Sequence, residues 1–277
     1  MRTVLSALSV LLAVVLTAAA VPSLWIERNV VDEGGFVSLL SPLRSDNGFQ
    51  TALGSSLATT VVSASHIPDA LQQPATQLVK GIVNGLSTDP GFPAAWDETL
   101  RESHRLNFSP GTASTSAFTL QLRPLAAVLL NRLGSSLGVP LGDAPSIEVP
   151  VGTSQQRSWL SAIQDAGNLA LPLSVGAVLA FVLGLLFARR REVALGWAGL
   201  GLLLVAAVLG AGAFLGSMLA GGQGGGGSVA TVFASRVGPL FADSFMPWAA
   251  AVAIVGAVFL LVALVVGAVG RRSAARR

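Results

Sequence analysis

The chain has no cysteine and no tyrosine, a single lysine (Lys80) and two histidines. Without cysteine there is no disulfide, no thiolate nucleophile and no cysteine-based metal site, so any exported part must be held by its own core. With so little to titrate between histidine and arginine, a net charge of only +3 lifts the isoelectric point to 10.9. That is not the footprint of a nucleic-acid binder. Charge itself is scarce, at 11% of residues, against about 25% in a soluble domain. With 52% hydrophobic residues and a mean hydropathy of +0.68, the composition is that of a membrane protein. The bias to Ala, Gly, Val, Leu and Arg suggests a GC-rich bacterial genome.

Apolar sequence, by contrast, is abundant, in four long runs: Val4–Val21, Leu169–Ala188, Val193–Ala220 and Trp248–Gly270, none containing Asp, Glu, Lys or Arg. Each is near or above the roughly 20 residues a helix needs to cross a bilayer core. The first run is open to two readings. Arg2 and Ala18-Ala19-Ala20 fit a signal peptide with a cleavage site. The length of the run, and Trp25 placed as an interfacial anchor, fit a membrane helix. Both readings export the segment C-terminal to it. Arginines fix the orientation, because ARRRE at 188–192 and RRSAARR at 271–277 are short basic flanks that stay in the cytoplasm. The cytoplasmic pieces then carry eight arginines and one glutamate, a net +7, whereas the large outer segment carries −4.

The resulting organisation is a first transmembrane helix or signal peptide at 1–21, an extracytoplasmic domain at 22–167, and transmembrane helix 2 at 168–188. A cytoplasmic turn at 189–192 leads to transmembrane helix 3 at 193–220. An outer loop at 221–247, transmembrane helix 4 at 248–270 and a basic cytoplasmic tail at 271–277 complete it. The fold class is a mainly α membrane protein with four transmembrane helices and a helical outer domain holding a small two-stranded β element. In that domain Asp46 caps a helix through Phe49, Leu53 and Leu57, and 78–86 marks a second. Pro93 sits in the first turn of a third. AFTLQL at 117–122 and SIEVPV at 146–151 alternate like strands. Between them Pro124 opens a helix closed by Gly134, and 154–168 is helical. In the outer loop, GGQGGGGS at 221–228 is a flexible linker. After it, the apolar side of 229–241 either lies in the membrane interface or, the preferred reading, packs under the outer domain.

The stretch PGFPAAWDETLRESHRLNF at 90–108 gathers five charged side chains and His104. On a helix, Phe92, Trp96, Leu100 and His104 form one stripe. Asp97 with Arg101, Glu98 with Arg101 and Glu102 with Arg105 form spaced ion pairs worth about 0.2–0.5 kcal/mol each. The charges are thus accounted for without chemistry. Catalysis would need His104 beside a carboxylate, and a metal would need more ligands than His66 and His104 supply. The spacing is not that of a zincin, and no G-x-S-x-G is present. No catalytic residue, metal or cofactor is expected. Trp96, Arg101 and His104 remain as ligand or partner contacts.

With these residues in view, the chain resembles a group of uncharacterised actinobacterial multi-pass membrane proteins. The likeness rests on Trp25, on GFVSLLSPLRSDNGFQTAL at 35–53, on the helix with Trp96, Arg101 and His104, and on TLQLRPLAAVLLNRLG at 119–134. It also includes the Arg-rich turn between the next two spans. One departure is Leu100, where similar proteins often carry Asn before the Arg. The resemblance implies an anchored outer domain and no assigned activity.

In the spans, Gly176, Ala180 and Gly184, and then Gly212 and Gly216, form small-residue stripes suited to close helix packing or to a membrane partner. The absence of intramembrane charge argues against a coupled transporter acting alone. The expected function is a non-enzymatic cell-envelope role, as a scaffold or accessory subunit in the bilayer whose outer domain contacts a protein or wall component. The alternative is an accessory of lipid or solute transport that shields an apolar ligand in the outer domain. No nucleic-acid partner is expected, and the sequence leaves the oligomeric state open.

Overall fold

A backbone in hydrocarbon has no water to bond, so each apolar run must satisfy its own amides as a helix. The computed structural model, which describes residues 2–64, 89–108, 118–138, 142–151, 157–221 and 229–274, obeys that rule. In chain order it holds α1 (Arg2–Ile26), a π-helical turn (Glu27–Val31), α2 (Glu33–Leu40), a 3₁₀ turn (Ser41–Ser45) and α3 (Asn47–Ala64). Then come α4 (Phe92–Phe108), β1 (Phe118–Gln121), α5 (Arg123–Leu137), β2 (Glu148–Val151), α6 (Arg157–Asn168), α7 (Ala170–Phe187), α8 (Arg191–Gly221) and α9 (Val229–Ala274). The protein is therefore of the mainly α membrane class, with a small antiparallel sheet and four helices long and apolar enough to cross a bilayer. The helix expected at 78–86, His66 and the Gly-rich stretch 222–228 lie outside the described residues.

Several boundaries differ from the sequence reading. The first helix continues past Val21 to Ile26, even with Pro22 inside it, and ends in the π-helical turn. Gly134 does not close α5. The helix runs on to Leu137, and Gly138 takes the left-handed conformation (φ 67°) with its N–H on the Gly134 carbonyl. Segment 229–247 and the fourth apolar run form one continuous helix, α9. Asp46 does cap α3, its carboxylate accepting the Phe49 N–H at 2.7 Å.

The chain divides into two compact units. The first comprises Met1–Arg28, Ile163–Ser217 and Phe241–Arg277. Here α1 runs antiparallel to α7. Ser6 Oγ donates to the Gly184 carbonyl at 2.7 Å, and Gly176 lies against Leu16. Helices α8 and α9 meet backbone to backbone, since a Cβ on Gly199 would stand 2.7 Å from the Gly256 carbonyl oxygen and one on Gly256 2.9 Å from that of Gly199. Phe181 of α7 stacks on Phe259 of α9 at 4.9 Å. Trp25 is buried within this unit. Its ring meets Phe241 and Phe245 edge-on, and Nε1 donates to Ser244 Oγ at 3.2 Å. Outside these seams large apolar side chains stay exposed, Leu171 by 72% and Trp197 by 67%. Apolar exposure on that scale marks a surface made for lipid.

The second unit comprises Asn29–Ala162 and Met218–Leu240. Its core joins Phe36 and Leu40 of α2, Phe49 and Leu53 of α3, Trp96 and Leu100 of α4, Leu120 of β1 and Leu125 of α5, all nearly or fully buried. Phe233 of α9 packs against Phe49 at 6.1 Å and stacks on Phe118 at 6.2 Å. Arg236 pairs with Asp46 at 3.4 Å. Phe233 is thus part of this unit's core.

The glycine contacts set a direct test. Gly199→Leu drives a side chain into the Gly256 backbone and should cost about 1–3 kcal/mol, lowering the melting temperature of the detergent-solubilised chain. Gly216→Leu, with no described atom within 4 Å of its Cβ position, should leave melting unchanged.

Candidate functional site

Helix α4 presents three faces, and each is tied into the fold differently. The first is the apolar stripe. Phe92, Trp96, Leu100 and His104 are all buried. Trp96 Nε1 donates to the Leu40 carbonyl at 3.3 Å, and its ring meets Phe49 edge-on at 5.1 Å. His104 stacks on Phe108 at 4.6 Å and lies 5.2 Å from Phe36. Its Nε2 is 3.2 Å from the Val30 carbonyl oxygen, an acceptor, so that nitrogen carries the proton. A buried imidazole donating to a backbone carbonyl between two phenyl rings is a packing residue with one satisfied bond.

The second face is a polar row, Thr99, Ser103 and Asn107, four residues apart and facing β1. Asn107 Nδ2 donates to the Thr119 carbonyl at 2.7 Å and to the Ser103 carbonyl at 2.6 Å, while Oδ1 accepts the Thr119 N–H at 2.8 Å. Ser103 Oγ accepts the Gln121 N–H at 2.8 Å and donates to the Thr99 carbonyl at 2.6 Å. These side chains occupy the edge of β1 that no described strand covers. The other edge pairs with β2, Thr119 opposite Pro150 and Gln121 opposite Glu148. Because Thr119 turns its amide and carbonyl toward α4, Pro150 faces away from β1 as well, and its missing N–H costs no ladder bond. Thr99 Oγ is fully buried and has no hydrogen-bond partner among the described residues.

The third face is ionic and half exposed. Arg101 pairs with Glu98 at 3.0 Å, as the spacing suggests, but the other expected pairs are replaced by tertiary ones. Asp97 meets Arg44 at 3.7 Å, Glu102 meets Arg123 at 3.9 Å, and Arg105 bridges Glu98 at 2.8 Å and Glu33 at 3.8 Å. Such pairs are worth about 0–1 kcal/mol each. At the start of the helix, Asp89 accepts the Gly91 N–H at 2.7 Å and is clasped by Arg132 of α5. The Arg132 hydrogen bond, helped by the Gly91 amide, holds the Asp89 carboxyl below its ordinary range.

Trp96, Arg101 and His104 therefore share one helix but not one site. Trp96 and His104 point into the core, and Arg101 points out. Among the described residues no three His, Asp or Glu side chains are grouped to hold a metal ion. In the membrane unit, Ala180 and Gly184 are buried, and a Cβ on Gly184 would lie 2.8 Å from Val10. Gly176 touches Leu16, but Gly212 and Gly216 face no described atom. Small-residue spacing alone does not distinguish these positions from Gly199 and Gly256, where two helix backbones meet directly. The Asn107 row escapes a search for apolar stripes because it is polar; its signal is the four-residue spacing beside the apolar stripe.

These features define a multi-pass membrane protein with a second compact unit organised around α4. The chain matches no known family model, no curated protein and no solved structure.

Helix α4 supports two tests. Asn107→Ala strips three bonds, two of them to the Thr119 backbone, with an expected cost of about 1–3 kcal/mol. Thr99→Val removes an unpaired buried hydroxyl at constant shape and should be neutral or stabilising by up to about 1 kcal/mol. Paired urea melts of the two variants check this. The Asp89 clasp gives a pH signature. Its stabilisation is complete above the ordinary Asp pKa of about 3.9 and is lost as pH falls through the lowered folded value. Melting of wild type against Asp89→Asn between neutral and strongly acidic pH should therefore converge on the acid side.

Proposed function

We propose that the chain is a non-enzymatic cell-envelope membrane protein, a scaffold or accessory subunit whose large unit engages a protein or wall component outside the cell. The observation that carries this reading is the accounting on α4: Trp96, Ser103, His104 and Asn107 are committed to internal bonds, leaving the half-exposed ionic face free to exchange partners. The alternative, an apolar ligand held in the outer domain, has less support, because Phe36, Phe49, Trp96 and Phe118 are spent on one another and on Phe233. The likeness to uncharacterised actinobacterial multi-pass membrane proteins supports an anchored outer domain. Trp25, Trp96 and His104, which carry it, each have a structural task.

The orientation rests on charge and pairing. Ser6 lies at Gly184, Gly196 lies at Ala263 and Gly199 at Gly256, so the helices alternate in direction. Arg2, Arg189–Arg191 and Arg271–Arg272 consequently gather at one end of the bundle, which the positive-inside rule assigns to the cytoplasm. Residues 22–167 and 221–247 are then extracytoplasmic. The first helix reads as a retained span, because cleavage after Ala20 would remove Ser6, Val10 and Val14 from their contacts with Gly184 and Gly201.

The cysteine-free sequence allows one experiment to test side and partner together. Arg101→Cys is labelled in intact cells with a membrane-impermeant maleimide photo-crosslinker, with Ser273→Cys as the cytoplasmic control. Labelling at 101 alone, followed by a defined protein or glycan adduct, is the expected result. Labelling at 273 alone reverses the topology, and labelling at 101 without an adduct removes the scaffold reading.

A further inference from the structure

The membrane unit contains a groove that helix packing does not fill. Helices α1 and α8 touch at Val14 and Gly201, where a Cβ on the glycine would lie 2.6 Å from a valine methyl carbon. Toward the arginine-rich end the two helices keep contact at the base, where Val10 packs with Ala194 and Ala198. The space between them, about 700 Å³, is walled by Thr3 to Val14 on one side and Val193 to Leu204 on the other. Buried Val10 and Ala194 form its floor. The volume lies within the ~300–1,000 Å³ of ligand pockets. Arg189 and Arg190, both exposed, line its mouth, and neither has an ion pair among the described residues.

We propose that this groove binds one anionic phospholipid, with an acyl chain between α1 and α8 and the phosphate on Arg189 and Arg190. The dimensions support a single-leaflet lipid. Each wall spans eleven helical steps, roughly 16 Å at 1.5 Å per residue, and half of a ~30 Å hydrocarbon core is roughly 15 Å. The closed end at Val14 and Gly201 therefore sits near the bilayer midplane, with the arginines at headgroup depth. An apolar groove open to lipid is filled by hydrocarbon whatever the headgroup. Selectivity comes from the paired guanidinium groups, which bind phosphate oxygens through charge-assisted hydrogen bonds. Glu192 is the one acidic residue near this mouth in sequence, and the arginine run outnumbers it.

The test is native mass spectrometry of the full chain released from nanodiscs of equal phosphatidylglycerol and phosphatidylcholine. Wild type should retain one phosphatidylglycerol, enriched roughly tenfold, and R189Q/R190Q should bring the enrichment below about twofold. R271Q/R272Q removes the same charge from the same end of the bundle and should leave retention intact. Ala7→Trp, on the exposed groove wall, should expel the lipid with both arginines present. Equal retention of the two lipids by wild type overturns the proposal. So does equal loss in the two arginine variants, which would mean general surface attraction, or retention undiminished in Ala7→Trp. A protein adduct from a photo-crosslinking residue at Ala7 in native membranes would assign the groove to a partner helix instead.

Discussion

The second unit depends on one substitution of parts: the Asn107 amide stands where a neighbouring strand would stand, bonding both the N–H and the C=O of Thr119. Two short strands alone are marginal in water. Here β1 has β2 on one edge and the Ser103–Asn107 row of α4 on the other. That row holds α4 in register with the sheet. The register in turn places Trp96 against Phe49 and His104 between Phe36 and Phe108. The dense mixture of residue types at 90–108 is what a helix needs when it must serve as strand edge, core wall and solvent face together.

The membrane unit solves a different problem. Lipid offers no hydrophobic drive for helices to associate, so contact area and close approach must hold them. The bundle does this at Gly199–Gly256, at Gly184 under Val10 and through the Ser6 hydroxyl on the Gly184 carbonyl. Among the described residues the polar contributions between helices include the Ser6 hydroxyl on a helix carbonyl and the Trp25 indole on the Ser244 hydroxyl, neither of which introduces charge into the core. Aromatic pairs, Phe181 with Phe259 and Trp25 with Phe241 and Phe245, fill the wider gaps.

Much of this was legible in the residues. Apolar run length located the spans, and the four-residue spacing of Phe92, Trp96, Leu100 and His104 located a buried stripe. Alternation located both strands. What sequence could not supply was the partner of each group. Asp97 and Glu102 have helical neighbours of opposite charge, yet pair with Arg44 and Arg123 from other segments, because i,i+4 spacing is blind to tertiary neighbours. Gly134 and Gly138 are equally good candidates to end α5; the observed end is the one that adopts positive φ. Gly212 and Gly216 obey the small-residue spacing as well as Gly199 does, but spacing along one helix does not reveal whether another helix faces it. Trp25 illustrates the same limit, since nothing beside it in sequence reveals that its indole meets Ser244 and Phe241.

The distribution of polar chemistry bears on what such a chain can do. In the membrane unit ionisable side chains lie toward the helix ends, and the apolar runs between them carry none. A relay through the bilayer would need titratable groups along the path, and the four apolar runs carry no Asp, Glu, Lys or Arg. They can, however, hold a fixed orientation and a fixed boundary layer. On the proposed orientation, Arg191, Arg271 and Arg272 already supply basic flanks. Arg189 and Arg190 add charge at the mouth of the groove, at the one level where charge and hydrocarbon can be engaged by a single molecule. Topology and lipid contact thus draw on neighbouring residues of one short turn. On the proposed reading, one lipid in the groove fills the seam between α1 and α8 and braces the membrane unit at that level.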